Sequence, residues 1–544
     1  MKKKSNFIVQ GSILGIAGIL AKILGMARRF PMEHIIGDIG NGYYSAAYEV
    51  YSIMLIISCY SLPLAVSKVV SAKVTKHQYK NAERVFQCAM LFAVATGGFC
   101  FLVLEVFGDV IASKFLLEPM SAMALKILGP AILIVAIMGV FRGYFQGLGT
   151  MMPTAISQLV EQVFVVIFSV AGSYFFYKKG EKVGALLHNE NYAPSYGAAG
   201  ASLGPVIGAF VGLVFLLFVF WMYRPSAKAN VRKDTTGKTD TMQQVFRLIL
   251  LTVLPVLLSS AVYNISTILD IRIYNSVMVQ KGLDDIKAYN LGVYSGKYKV
   301  LINVPIALAN AMCSSIVPVL TGLVMREEFR QVRLKINQAL RFTMIIAIPC
   351  AVGLAVLARP IISLLFRGEV DLAVNLLQVG SISIVFYSMS TLTNGVLQGI
   401  NKMKLPVLHS AIALVIHIVF LYVTLQMDMG IHAVVYANIL FAVVVCILNW
   451  LSIRKYLKYR QEIVKTFLLP TAASAIMGVI IVVINMLLGK IAGNLVVVVL
   501  GLVLGVIAYF VSLILLKGID ENDLKSMPGG RKILVIAQKV KLLK

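Results

Sequence analysis

Seven basic residues, Lys22, Arg28, Arg29, Arg272, Lys281, Lys297 and Lys299, stand in or at the ends of stretches that otherwise read as membrane helix. A lysine or arginine at the centre of a lipid-facing helix costs roughly 2.5 to 3.5 kcal/mol, so each needs a reason. Arginine forks and lysine ammonium groups in a low dielectric suit an anion carrying several charges, above all a phosphate or diphosphate. Lys22, Arg28, Arg29, Arg272 and Lys297 are therefore candidate substrate-binding residues. Snorkelling, with the stem in lipid and the head at the interface, explains Arg28 and Arg29 equally well. It reaches less far for Lys297, about 12 Å into its helix at 1.5 Å per residue.

The elements that must carry these cations follow from composition. The chain has 544 residues, 59% hydrophobic and 14% charged, with a mean hydropathy of +0.85. That is an all-α polytopic membrane protein rather than a set of soluble domains. Apolar runs of about 20 residues predict about 14 transmembrane helices. The formal charge of +26 does not imply nucleic acid. The clusters Lys2 to Lys4, Lys68 to Arg84, Arg224 to Lys238, Arg326 to Lys335, Arg454 to Lys465 and the C-terminal tail fall in alternate loops. The positive-inside rule then puts both termini in the cytoplasm of a multi-pass bacterial cell membrane protein. The N-terminus is basic, then apolar, but lacks a small-residue cleavage site and reads as an uncleaved first span. Six scattered cysteines without CxxC spacing indicate neither a disulfide framework nor a thiolate metal site, and no metal or other cofactor is expected.

An internal repeat sets the domain organisation. "GYYSAAYEV" at 42 to 50 matches "GVYSGKYKV" at 292 to 300, an offset of 250 that also pairs Lys22 with Arg272 and Ser113 with Ser363. An even number of helices per repeat gives two parallel six-helix lobes plus two extra C-terminal helices. The expected segments are an N-terminal lobe, 1–222; a cytoplasmic linker, 223–245; a C-terminal lobe, 246–462; two extra helices, 463–516; and a basic cytoplasmic tail, 517–544. Twinned bundles commonly bind substrate near the midplane and alternate its exposure. The same offset pairs Glu49 with Lys299. Their opposite charges at equivalent depth are expected to form a gate, unless each snorkels or pairs locally.

Other polar positions carry two readings each. Gly143, Gly147 and Gly149 allow a tight turn and Pro153 suits the first turn of the next helix, while Arg142 there could meet a phosphate. Gly200, Gly204, Gly208 and Gly212 present one smooth packing face. Glu161, inside a helix, either couples transport to an ion or holds a helix partner. His409 and His417 lack a ligand cluster and read as satisfied core residues.

The segment "FRGYFQGLGTMMPTAISQLVEQ" at 141 to 162 resembles the fourth-to-fifth helix connection of SpoVB/MurJ-type flippases of the MOP exporter superfamily. "SLPLAVSKVVS" at 61 to 71 is similar to the second-to-third helix turn of the SpoVB branch, and "AKILGMARR" at 21 to 29 resembles the first-helix motif of MurJ proteins. The SpoVB branch is the closer match. Lys22 stands where many MurJ members have arginine, Arg29 where they have aspartate, and "YSGK" at 294 to 297 where an acidic residue precedes arginine. The resemblance implies a central cavity bounded by the first, second, seventh and eighth helices that binds the diphosphate of lipid II. It also implies a groove along the two extra helices for the lipid tail. The expected function is a flippase moving undecaprenyl-diphosphate-linked peptidoglycan precursor from inner to outer leaflet, in vegetative growth or sporulation. The expected partners are that lipid-linked diphosphate glycan, membrane lipids and cell-wall synthesis proteins, with a monomeric chain. The alternatives are a flippase for another lipid-linked oligosaccharide (capsule, teichoic or spore-coat glycan) and a cation-coupled drug exporter, which a basic cavity argues against. A membrane glycan polymerase or ligase would need acid/base residues on a substantial external loop, and the loops are short. With no P-loop of the form GxxxxGK[ST], the chain is not expected to be an ATP-hydrolysing enzyme.

Overall fold

The computed structural model describes residues 7–60, 62–232, 234, 240–368, 370–488 and 493–519. Lys2 to Lys4, most of the linker centre and nearly all of the basic tail lie outside these residues. Among the described residues eighteen α-helices follow one another: α1 (Phe7–Ala27), α2 (Arg29–Leu55), α3 (Leu62–Thr75), α4 (Tyr79–Val110), α5 (Ala122–Gly147), α6 (Met152–Leu187), α7 (Tyr192–Arg232), α8 (Met242–Gln280), α9 (Asp284–Gly292), α10 (Lys299–Met325), α11 (Phe329–Val356), α12 (Ala358–Leu365), α13 (Asp371–Gly380), α14 (Ser383–Gly399), α15 (Lys404–Gln426), α16 (His432–Leu457), α17 (Leu469–Leu488) and α18 (Asn494–Leu515). The described residues contain no strand. Only helices or closed barrels satisfy every backbone group in lipid, and these hydropathies choose helices. Among the described residues 11 helical segments are long and apolar enough to span, or 12 if the α13–α14 pair, bent by 46°, is one span. Two further helices, α1 and α8, stand where the first and seventh spans are expected. This is a multi-pass, all-α membrane protein.

The described chain divides into two compact units, residues 1–296 and 297–544. By packing, α8 and α9 belong with the first unit, whereas the repeat places them in the second lobe. Repeat symmetry records common descent of the helices; contact clustering records which helices touch. α7 continues to Arg232, and the described linker ends are docked on the α3–α4 turn: the Lys80 N–H donates to Asp234 Oδ2 (2.9 Å) and the Asp240 N–H to Asn81 Oδ1 (2.9 Å), with Lys73 paired to Asp240. Thr241 and Gln244 then form a capping box that starts α8.

Two close approaches organise the first unit. α2 kinks at Gly37 (φ +65°), a left-handed conformation open to glycine, and the Asn41 amide bridges the break by donating to the Gly37 carbonyl (3.1 Å). Beyond the kink α2 crosses α9 at the repeat-equivalent glycines Gly42 and Gly292. A Cβ on Gly42 would lie 2.0 Å from the Ala288 carbonyl oxygen, and one on Gly292 1.7 Å from that of Asp38. The echoing motif thus marks the place where equivalent helices touch. The expected glycine face of α7 packs on α6: a Cβ on Gly200 would lie 2.1 Å from the Gly172 carbonyl oxygen, and one on Gly208 2.4 Å from a Val165 methyl.

In the second unit α10, α11 and α14 enclose a core that includes Leu320, Ile336, Leu340, Leu392 and Val396. α17 and α18 pack against each other and against α11. The Tyr509 hydroxyl donates to the Ile345 carbonyl (2.7 Å), and Arg341 Nη2 to that of Gly518 (2.7 Å).

Candidate functional site

The break between α1 and α2 puts Arg28 and Arg29 side by side at the start of α2, with Tyr44 facing both. Arg28 is 6% exposed. Its Nη1 donates to Ser169 Oγ on α6 and its Nη2 to the Tyr44 hydroxyl, each at 3.0 Å. The guanidinium carbons of Arg28 and Arg29 stand 5.8 and 5.2 Å from the Tyr44 ring centroid, within cation–π range. Tyr48 stacks on Tyr44 at 5.6 Å. The Arg28 Nε and Arg29 Nη1 are buried without a hydrogen-bond partner among the described residues. Two guanidiniums thus share the Tyr44 ring face; Arg28 is anchored on neutral hydroxyls, Glu49 acts electrostatically on Arg29, and donors are left over for a multiply charged anion.

The other predicted cations are placed differently. Lys22 is exposed, six positions before Arg28 on α1. Arg272, half-buried on α8, donates through Nη1 to the Lys114 carbonyl (3.1 Å), and Asn275, one turn on, to that of Leu116 (2.6 Å). Together they hold the α4–α5 connection. Lys281 caps the end of α8. In the second unit Lys297 is 0% exposed and its Nζ donates to the Arg367 carbonyl (2.8 Å) just after α12. Glu49 and Lys299 are each half-buried within their own units.

Glu161 has a helix partner: Arg142 Nη2 meets its Oε2 at 2.7 Å, and Arg142 Nε donates to Ser157 Oγ at 3.0 Å. The same arginine thereby braces the α5–α6 turn, in which Gly149 takes φ +85° and Pro153 opens the helix. His409 lies within hydrogen-bond distance of Asn449 (2.7 Å) and Ser452 (3.2 Å), and His417 of the Ala437 carbonyl (2.8 Å), so both sit in satisfied polar networks.

Sequence reasoning passed over three residues. Tyr44 lies inside the repeated motif but carries no charge to draw attention. Ser169 is an ordinary helical serine whose only hint is Gly204, its neighbour across α7. Glu118, on the α4–α5 connection, is 4% exposed, with Oε2 lacking a hydrogen-bond partner among the described residues. Burial pushes its carboxyl up to about 7; nearby Lys287 offsets part of this and Asp284 adds to it.

The family model described as polysaccharide biosynthesis protein matches residues 8–324, and the MatE model matches residues 255–423. The lipid II flippase MurJ of Bacillus subtilis (strain 168) is 27% identical over 502 residues, covering 89% of this chain and 90% of that protein. The stage V sporulation protein B of the same organism is 23% identical over 529 residues, covering 96% and 98%. A solved structure of lipid II flippase MurJ in its inward closed conformation superposes with a TM-score of 0.66 at 17% identity, covering 92% of this chain and 97% of that one. The first match spans more than half of the sequence, and the chain belongs to the polysaccharide biosynthesis protein family, with MurJ and stage V sporulation protein B of Bacillus subtilis among the proteins it resembles.

Proposed function

We propose that this protein is a flippase, not an enzyme, and that it carries an undecaprenyl-diphosphate-linked peptidoglycan precursor from the inner to the outer leaflet by alternating access. The observation that carries the reading is the pair Arg28 and Arg29: two cations against the Tyr44 ring, of which Arg28 is buried and bonded to the neutral hydroxyls of Ser169 and Tyr44. A cationic drug would be repelled there, whereas a diphosphate supplies charge and acceptors that match arginine forks. Relatives named for lipid II flipping and sporulation support the same substrate class. In this reading Lys22 and Arg272, on α1 and α8 of the same unit, extend the attraction beyond Arg28 and Arg29. Glu161 remains tied to Arg142, and α17 and α18 accompany the hydrocarbon tail.

The test is depletion of the protein in its host, followed by an accessibility assay that reports which lipid-linked precursor stays in the inner leaflet. Inner-leaflet accumulation of the peptidoglycan precursor, restored by wild type and not by an Arg28→Ala, Arg29→Ala double variant of normal abundance, is expected. Accumulation of a different lipid-linked glycan reassigns the cargo. Unchanged leaflet distribution of every such lipid rejects the flippase reading.

A further inference from the structure

We propose that Ser169 and Tyr44 are positioning residues that aim the Arg28 guanidinium at the diphosphate of the lipid-linked substrate, and that the glycine face of α7 exists partly to admit the Ser169 hydroxyl. The inference rests on the flippase reading and adds residues to its site. A free arginine side chain samples many rotamers, and ordering it in a binding event costs affinity. Here the ordering is built in advance. Each terminal nitrogen of Arg28 gives one bond to a fixed hydroxyl, Ser169 Oγ on one side and Tyr44 on the other, both at 3.0 Å. A guanidinium has five N–H donors, so the two anchors fix its plane and leave three, including the buried and unpartnered Nε. Neutral anchors matter because a carboxylate there would neutralise the charge that an anion must meet.

Both anchors are themselves held. Ser169 and Tyr44 are each 0% exposed. The Ser169 hydroxyl spends its one proton on the Ala201 carbonyl (3.0 Å), which leaves its lone pairs for Arg28. It occupies the space that a side chain at position 204 would take: a Cβ on Gly204 would lie 2.0 Å from Ser169 Oγ and 2.6 Å from the Val165 carbonyl oxygen. Tyr44 is braced by the stacked ring of Tyr48, and its own face also receives Arg29. Thus α2, α6 and α7 of the first unit converge on a single guanidinium, more precision than a snorkelling arginine requires.

The test uses the full chain in lipid nanodiscs and measures binding of undecaprenyl diphosphate and undecaprenyl phosphate. The variants are Arg28→Ala, Ser169→Ala and Tyr44→Phe, plus the two doubles that combine Arg28→Ala with each of the others. Ser169→Ala and Tyr44→Phe each remove one oxygen and keep the packing. Each is expected to weaken diphosphate binding on the order of tenfold, the effect of losing one bond to a charged group. Because they act through Arg28, neither double should bind more weakly than Arg28→Ala alone. A general packing defect would persist in the Arg28→Ala background, so additive losses overturn the inference. Wild-type binding by Ser169→Ala and Tyr44→Phe, beside loss in Arg28→Ala, overturns it while leaving the arginine site intact. Unchanged binding in Arg28→Ala, or no binding of either lipid by wild type, overturns the functional reading and the inference with it. Equal affinity for the two lipids overturns the diphosphate assignment.

Discussion

Removing the Glu161 charge alone should unbalance the first unit more than removing both members of its ion pair. The side chains of Arg142 and Glu161 are 13% and 17% exposed and meet at 2.7 Å, with Ser157 satisfying the arginine Nε at 3.0 Å. With charge centres about 4 Å apart and an effective dielectric of about 20, their attraction is about 4 kcal/mol. Breaking one buried partner of such a pair typically costs about 3 to 5 kcal/mol, because the other charge is left desolvated. Replacing both with apolar residues of similar volume is often near neutral. Glu161→Gln should therefore lose about 3 kcal/mol, the low end, since Gln can still accept one bond from Arg142. Glu161→Leu combined with Arg142→Met should recover most of it. Thermal unfolding of the purified protein in detergent, together with membrane abundance, reads both. A Glu161→Gln variant as stable as wild type, or a double variant no better than Glu161→Gln, refutes the partner reading. A stable double variant that no longer transports shows that the pair serves transport as well as stability.

Glu118 carries a pH dependence. The folded state holds its proton more tightly than the unfolded chain, so its contribution is full below the ordinary value of 4.5 and is lost as pH rises from there to about 7. That amounts to about 3 kcal/mol across the window, which Glu118→Gln should abolish; unfolding profiles at several pH values with an unchanged slope would count against it. Lys297→Ala should lower stability by about 2 to 4 kcal/mol as well as activity, because the fully buried ammonium holds the Arg367 carbonyl; normal abundance and melting in that variant would show the bond to be dispensable. A chain ending at residue 462 should keep the first unit folded and lose transport of long-chain lipids before short-chain analogues, since among the described residues α17 and α18 pack chiefly on α11, α12 and each other; full long-chain flipping by the truncated protein would remove these helices from the lipid path.

The arrangement around Arg28 connects features that look unrelated along the chain. The α7 glycines read first as a device for close helix packing, and they are one, with Gly172 and Gly200 meeting backbone to backbone. One turn along, the same closeness lets a serine hydroxyl bridge α7 to a cation near the end of α1. Packing density and charge placement are here the same structural choice.

What sequence alone determined is what depends on local sums. Spans of about 20 apolar residues, the alternation of basic loops, the 250-residue echo and the four-residue glycine spacing are each readable within a window or by comparing two windows. Hydrophobicity adds up residue by residue, and lipid permits few folds other than a helix bundle, so the class and the positions of most helices follow. The identity of a side chain's partner is not a local sum. Ser169 lies 141 positions from Arg28, and nothing in its neighbourhood distinguishes it from Ser173 one turn later. Lys297 and Arg28 look alike as cations within apolar sequence. Tertiary packing buried the first against a backbone carbonyl and set the second between two hydroxyls with donors to spare. The sequence carries no sign of which group meets Glu161; tertiary packing places Arg142 within 2.7 Å of its carboxylate. These outcomes belong to the tertiary structure because an ångström-scale approach between distant helices decides them, and hydropathy and periodicity do not encode that distance.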